Sequence, residues 1–375
     1  MPNGKPPFRA DHVGSFLRPH RLAEAREKFF RDALPAAELR ALEDECINEL
    51  VQKQKDVGLK GITDGELRRT FFHVDFLEHL DGVDVTYGEF KTGFRKDDGT
   101  EVGFRPPTMH VNGKLKHVKP IQGADFDFLK KSVGPDHTPK VCIPAPSMLH
   151  FRGGRDAISE AVYPDLEAFY EDLTAAYRAE VKDLADRGCR YLQMDDTNLA
   201  YLCDPEIRAR TAARGDDPDA LTKLYCRLVN DSIKDKPDDM VISIHLCRGN
   251  FKSAWVAQGG YEPVAEILFN EMAIDGFFLE YDDERSGDFA PLRHMPKGKT
   301  VVLGLMSSKK VDVESADAIK TRIDEASKYV PLDQCALSHQ CGFSSTAHGN
   351  DLVEKDQWDK LERCVEVAMD VWGEV

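Results

Sequence analysis

Short apolar runs alternate with longer amphipathic segments along this chain, and that alternation predicts its fold. The runs are HVGSF (12–16), GIT (61–63), VCIPA (141–145), YLQMD (191–195), MVISIHLC (240–247), GFFLEY (276–281), TVVLGLM (300–306) and CALSHQC (335–341). Each is short and rich in aliphatic or β-branched residues, as expected of strands covered on both faces. Between them, 39–57, 166–187, 219–233, 263–272, 316–329 and 355–371 carry apolar residues at three- and four-residue spacing, the signature of amphipathic helices. Eight strands alternating with helices predict an α/β protein, a (β/α)8 TIM barrel with a β-hairpin insertion after the second strand/helix region. No Gly-x-Gly-x-x-Gly turn follows the first run, which weighs against a doubly wound open sheet. The insertion covers about 82–138, where Asp98-Gly99 and Asn112-Gly113 read as hairpin turns. The chain 1–375 is expected to form a single barrel domain.

Composition narrows the partners. A net charge of −16, with no Lys/Arg-rich run, sets an average field that repels nucleic acid. No stretch approaches the ~18 uninterrupted apolar residues of a membrane span, and the first residues lack the apolar core of a secretory signal. Nine cysteines, an odd count scattered over the chain, argue for reduced thiols rather than a disulfide framework. A cytoplasmic location is expected, and homo-oligomerisation is left open.

In a barrel of this kind chemistry sits at the C-terminal ends of the strands. Four side chains suited to a soft divalent metal fall at such ends. His245 and Cys247 stand two residues apart, so in a strand both face the same way. Glu280 ends one run and Cys341 ends another. One imidazole, two thiolates and one carboxylate suit tetrahedral Zn²⁺. On pattern alone other readings stay open: core packing for His-x-Cys, an arginine partner for Glu280, an inert thiol at Cys341.

The segments HLCRGNF, GFFLEYD and LSHQCGF resemble the zinc-ligand segments of the cobalamin-independent methionine synthase family, in its C-terminal catalytic barrel. DHVGSF, TDGELRR and YLQMDDTNL are similar to further segments of that family, in the same order along the chain. The resemblance is closest to short, single-barrel bacterial members. It implies Zn²⁺ held by His245, Cys247, Glu280 and Cys341. It further implies a substrate amino group at Glu66 and Asp195, and a substrate carboxylate at Ser15. Asp195 and His339 are the candidates for proton handling, with His12 and His150 also near strand ends.

The expected function is a zinc-dependent S-methyltransferase that alkylates a small thiol, homocysteine to methionine, with folate or another methyl donor. Two departures from the family bear on that donor. The family's histidine after the seventh strand has no counterpart near Met306 and Ser307, and Phe151 and Arg152 stand where the family carries a pterin-stacking tryptophan. The alternatives are transfer of coenzyme M to an epoxide, a noncatalytic zinc barrel that binds a thiol, and a zinc-free tetrapyrrole decarboxylase. Glu66 and Asp195 speak against coenzyme M, which has no ammonium to pair with them.

Overall fold

The computed structural model describes residues 4–87, 93–104 and 106–375; positions 88–92 and 105 of the expected insertion, and the first three residues, lie outside it. Seven parallel strands form a curled, TIM-barrel-like sheet: β1 (Gly61–Ile62), β2 (Thr138–Pro144), β3 (Tyr191–Asp196), β4 (Val241–Leu246), β5 (Gly276–Glu280), β6 (Thr300–Met306) and β7 (Cys335–His339). Each pairs with the next in sequence order, so neighbours in the chain are neighbours in the sheet. The strand cores are fully buried because helices cover the outer face, which is why the runs read as apolar throughout rather than alternating. The helices fall where three- and four-residue spacing put them: Ala36–Val57, Leu166–Asp186, Pro218–Ile233, Glu262–Glu271, Ala316–Ala326 and Glu354–Trp372.

The first predicted run behaves differently. Ala10 makes a parallel bridge to Leu337, and Leu337 N donates to Arg9 O at 2.8 Å, so the chain does lie against β7. Residues 12–16 then leave strand geometry, because Gly14 has φ +124°, open to glycine but not to other residues in a strand. A Cβ there would meet Cys142 Sγ at 2.5 Å, so the close approach also requires glycine. Buried Asp11 ties this segment inward: it accepts from the Lys140 ammonium at 3.0 Å and from the Tyr191 hydroxyl at 2.6 Å.

The insertion also departs from expectation. Asp98-Gly99 does turn a short antiparallel pair, Phe94–Arg95 with Glu101–Val102. Asn112-Gly113 does not turn; it lies inside the strand Thr108–Lys116, which pairs antiparallel with Asp81–Thr86. The physical reason is a register irregularity between Asp81 and Val83, where Gly82 and Gly113 face each other so closely that a Cβ on Gly82 would meet Gly113 O at 2.6 Å. Glycine at 113 thus marks a bulge rather than a turn. Toward its end the expected insertion carries a helix, Gly123–Val133. A further helix, His20–Phe30, precedes the sheet.

Leu192, with no exposed surface in the middle of β3, measures how tightly the interior is packed. Leu192→Ala should lower stability by about 2–5 kcal/mol through lost burial and the cavity left behind. Chemical denaturation reads this directly, and a loss below about 1 kcal/mol would mean a loosely packed centre.

Candidate metal centre

The four strand-end residues meet. The ligand atoms of His245, Cys247, Glu280 and Cys341 all lie within 4.8 Å of one another, and all four residues are buried. His245 lies in β4 and Cys247 just beyond its end; Glu280 closes β5, and Cys341 follows β7 by two residues. The two Sγ atoms are 3.4 Å apart. That is too far for a disulfide bond of ~2.05 Å. It is near the ~3.8 Å that separates two sulfurs each ~2.3 Å from one tetrahedral ion.

The surrounding bonds orient these side chains. Glu280 Oε1 accepts from Arg248 N at 2.9 Å, whereas Oε2 is buried with no hydrogen-bond partner among the described residues. An orphaned carboxylate oxygen beside two thiols and an imidazole is the feature a cation would satisfy. Cys247 Sγ accepts from Gly249 N at 3.3 Å, and Ser345 Oγ lies 3.4 Å from Cys341 Sγ. His245 has Nε2 at 3.0 Å from Gln340 O and Nδ1 at 3.6 Å from Asp195 Oδ1. Burial pushes this imidazole down, but Asp195, Cys341 and Glu280 outweigh burial and raise it to about 9. The hydrogen bond from Cys247 brings the Cys341 thiol down to about 6 and drives Cys247 well up, so the pair shares one proton and titrates as a unit.

A second cluster lies beside the first. Glu66, Cys142 and Asp195 offer atoms within 4.8 Å of one another. Glu66 sits at φ +55°, an uncommon conformation for a residue with a side chain. Gly65 before it, at φ +69°, would place a Cβ 2.1 Å from Leu50 Cδ2, so a side chain there would be strained and would displace Leu50. Asp64 Oδ1 holds the turn by accepting from Glu66 N at 2.8 Å. The Glu66 carboxylate is paired with Arg69. Burial, resisted by Arg69 and reinforced by the Asp195 charge, pushes Glu66 up to about 7. Asp195 Oδ1 is held by Gln193 Nε2 at 2.7 Å.

His245, Cys247 and Cys341 of the first cluster and Glu66 and Asp195 of the second line one cavity of about 50 Å³ at the strand ends, together with Ser15. Ser15 is buried, its Oγ accepting from Ser344 N at 3.3 Å. The insertion reaches this cavity: Phe94 and Phe104 line it, and Phe104 stacks on Phe251 with centroids 4.0 Å apart.

The other sequence candidates sit elsewhere. His339 is not among the cavity's lining residues; it is buried against Phe343, and burial pushes it down to about 3. His12 Nε2 bonds Gly61 O at 3.0 Å. His150 lies between the Tyr225 and Tyr170 hydroxyls, at 2.9 and 3.1 Å. Asp196, next to Asp195, does line the cavity, but it is bonded to Ser147 and accepts from Leu199 N at 2.8 Å, holding the turn after β3.

Sequence reasoning passed over two residues. Lys309, three positions past β6, is buried with Nζ 3.9 Å from Glu280 Oε2. Its place just after a strand end was the available signal. His73 lines the cavity from the segment after β1, and nothing in its local sequence marks it.

Comparison with known proteins agrees with this architecture. The model of the family "Cobalamin-independent synthase, Catalytic domain" matches residues 148–369. The chain is 43% identical to the uncharacterized protein YxjH of Bacillus subtilis, over 98% of this chain and 96% of that one. A solved structure from Listeria monocytogenes, provisionally named a vitamin-B12 independent methionine synthase, superposes with a TM-score of 0.80 at 42% identity, covering 99% of each chain. The 5-methyltetrahydropteroyltriglutamate–homocysteine methyltransferase of Bacillus velezensis is 22% identical over 91% of this chain, which spans only 41% of that enzyme's length. With the family model covering more than half its length and full-length relatives above 40% identity, the chain belongs to the cobalamin-independent synthase catalytic-domain family.

Proposed function

We propose that this protein is a zinc-dependent S-methyltransferase that methylates a small amino-acid thiol, homocysteine in the first instance. The observation that carries the reading is the convergence of His245, Cys247, Glu280 and Cys341, three of which line one cavity with the Glu66–Asp195 pair. In this reading residues 9–11 complete an eight-stranded (β/α)8 barrel, 1–375 is one domain, and 82–138 is its insertion. The nine unpaired cysteines suit a reducing, cytoplasmic setting.

Zinc held by the four residues would keep a substrate thiol deprotonated at neutral pH, where a free thiol of pKa ~8.5 is mostly protonated and a poor nucleophile. The protein's own groups set the conditions for that. Two thiolates and one carboxylate outweigh the ion's charge by one, so a bound sulfur stays electron-rich enough to attack carbon. The Lys309 ammonium, near Glu280 Oε2, limits the cost of burying that excess charge. Gln340 O accepts from His245 Nε2 and fixes the ring, which would leave Nδ1, 3.6 Å from Asp195 Oδ1, as the nitrogen offered to the ion. Glu66 and Asp195, two like charges held together in a buried site, are the complement of an ammonium group. Ser15 lies where it can meet the carboxylate of the same amino acid. This ammonium-specific pair favours an amino-acid thiol over coenzyme M.

The test is zinc content by mass spectrometry together with calorimetric binding of homocysteine, coenzyme M and glutathione. One zinc per chain and selective binding of homocysteine are expected; a zinc-free active protein, or preference for coenzyme M, contradicts the reading.

Glu66 adds a pH dependence. Only its deprotonated form attracts an ammonium, and its pKa lies near 7, so below that pH a proton must leave before ligand can bind. Methionine, whose sulfur does not titrate, should therefore bind more tightly as pH rises through about 7. Glu66→Gln should flatten the profile, and a flat wild-type profile would remove Glu66 from the pocket.

A further inference from the structure

Each of the two clustered thiols faces one hydrogen-bond donor, and the two donors differ in kind. Cys247 Sγ takes the backbone N–H of Gly249 at 3.3 Å, whereas Cys341 Sγ faces the Ser345 hydroxyl at 3.4 Å. The direction of the second bond follows from its neighbours. Asn250, 5% exposed, turns Nδ2 toward Gly342 O at 2.9 Å, and a carbonyl oxygen can only accept. The same Nδ2 donates to Ser345 Oγ at 3.1 Å, so the hydroxyl proton is not spent on Asn250. Arg69, paired with Glu66, fixes the Ser345 backbone by donating to its carbonyl oxygen at 2.7 Å. Once Cys341 is a thiolate it has no proton to give, and the hydroxyl becomes the donor to its sulfur.

We propose that the Ser345 hydroxyl protects Cys341 from alkylation, so that a methyl group goes to the substrate's sulfur and not to the protein's own ligand. The inference rests on the zinc-dependent methylation reading and adds how the site chooses among its sulfurs. A site with this chemistry sets three sulfurs before one methyl donor: the substrate's and two of the protein's. Both cysteines line the cavity, so burial in the fold does not shield them from what enters it. A thiolate attacks with a lone pair, and a donor that engages such a pair holds back part of its charge. For Cys247 that donor is built into the backbone. For Cys341 it is a side chain, and it can be removed.

The reaction held in check balances without a proton. With methyl iodide, the Cys341 sulfur pair forms the S–CH3 bond, the C–I bond breaks with its pair on iodide, and the thiolate becomes a neutral thioether. A thioether is not among zinc's usual protein ligands, so each such event would also cost the protein its metal.

Threonine and valine have the same shape and differ in the hydroxyl, so the two substitutions separate the hydrogen bond from packing. Wild type, Ser345→Thr and Ser345→Val are loaded at saturating zinc and treated with methyl iodide. Peptide mass spectrometry follows methylation at each cysteine, and a chromogenic chelator follows zinc release. Cys341 in Ser345→Val should react about 10-fold or more faster than in the wild type, the lower end of what one hydrogen bond to a charged group is worth. Ser345→Thr should stay at the wild-type rate. Cys247, whose donor is untouched, should keep one rate in all three, which a general loosening of the site would not leave. With homocysteine present, the wild type should methylate homocysteine ahead of Cys341. If Ser345→Val does not load zinc, Ser345→Ala against wild type carries the same comparison. Equal Cys341 rates with and without the hydroxyl, a parallel rise at Cys247, or wild-type Cys341 reacting as fast as homocysteine would overturn the proposal. So would failure of both hydroxyl-free variants to load zinc, since the hydroxyl would then build the site rather than protect it. Wild-type protein that takes up no zinc would instead overturn the reading on which the proposal rests.

Discussion

Serine in place of Cys341 is expected to strip the protein of zinc and abolish methyl transfer. The substitution is nearly isosteric, so packing around this buried position changes little. What changes is the ligand: a serine hydroxyl stays protonated at neutral pH and offers zinc a neutral, harder oxygen instead of a thiolate. Losing an outer-sphere partner alone costs about 10–100-fold in metal affinity, so loss of a direct ligand should exceed about 100-fold. Competition against a chromogenic chelator measures this, and circular dichroism checks that the fold survives. Cys247→Ser should behave alike, because the two sulfurs stand 3.4 Å apart in the same cluster. By contrast, Cys364→Ser, whose thiol lies buried against Leu337 O, should keep its zinc. Full zinc occupancy in Cys341→Ser would remove it from the ligand set.

The second large effect belongs to Glu66→Gln. Removing this charge takes one of two carboxylates from the ammonium site while keeping the side chain's shape. A charge-assisted hydrogen bond is worth about 1.5–3 kcal/mol, so homocysteine affinity should fall about 10- to 150-fold. Zinc content should not change, because Glu66 is not among the four clustered ligands. The substitution also leaves Arg69 without its buried partner, so some loss of stability should accompany the loss of affinity. Rescue offers a control: a thiol lacking the amino group should bind both forms equally. Undiminished homocysteine affinity in Glu66→Gln would show that the pocket reads some other group.

What the sequence revealed and what it hid follow from the reach of each signal. Strands buried on both faces announce themselves as unbroken apolar runs, and strand ends in a barrel carry the chemistry. His245, Cys247, Glu280 and Cys341 were therefore legible as a set although they are up to 96 positions apart. The helix at Gly123–Val133 carries Phe126, Leu129 and Val133 at three- and four-residue spacing, and it was hidden because the hairpin reading of 82–138 ran across it. Asn112-Gly113 looks like a turn in any local reading; only the facing Gly82 turns it into a bulge. His339 seemed well placed at a strand end, yet its side chain points into packing against Phe343 rather than into the cavity. A strand end fixes position along the barrel but not which way each residue faces, and that depends on where the strand stops. Lys309 was missed although its place after a strand end was a signal, because its charge partner Glu280 is met only in the fold; His73 was missed because its buried ring, without a hydrogen-bond partner among the described residues, is visible only when the neighbours are in place.

The most direct test of the central claim is zinc K-edge X-ray absorption fine structure on the zinc-loaded protein. Two sulfur neighbours at about 2.3 Å and two nitrogen or oxygen neighbours at about 2.0–2.1 Å are predicted, the signature of two cysteines, a histidine and a glutamate on a single ion. A spectrum that fits nitrogen and oxygen neighbours alone, with no sulfur, would contradict it.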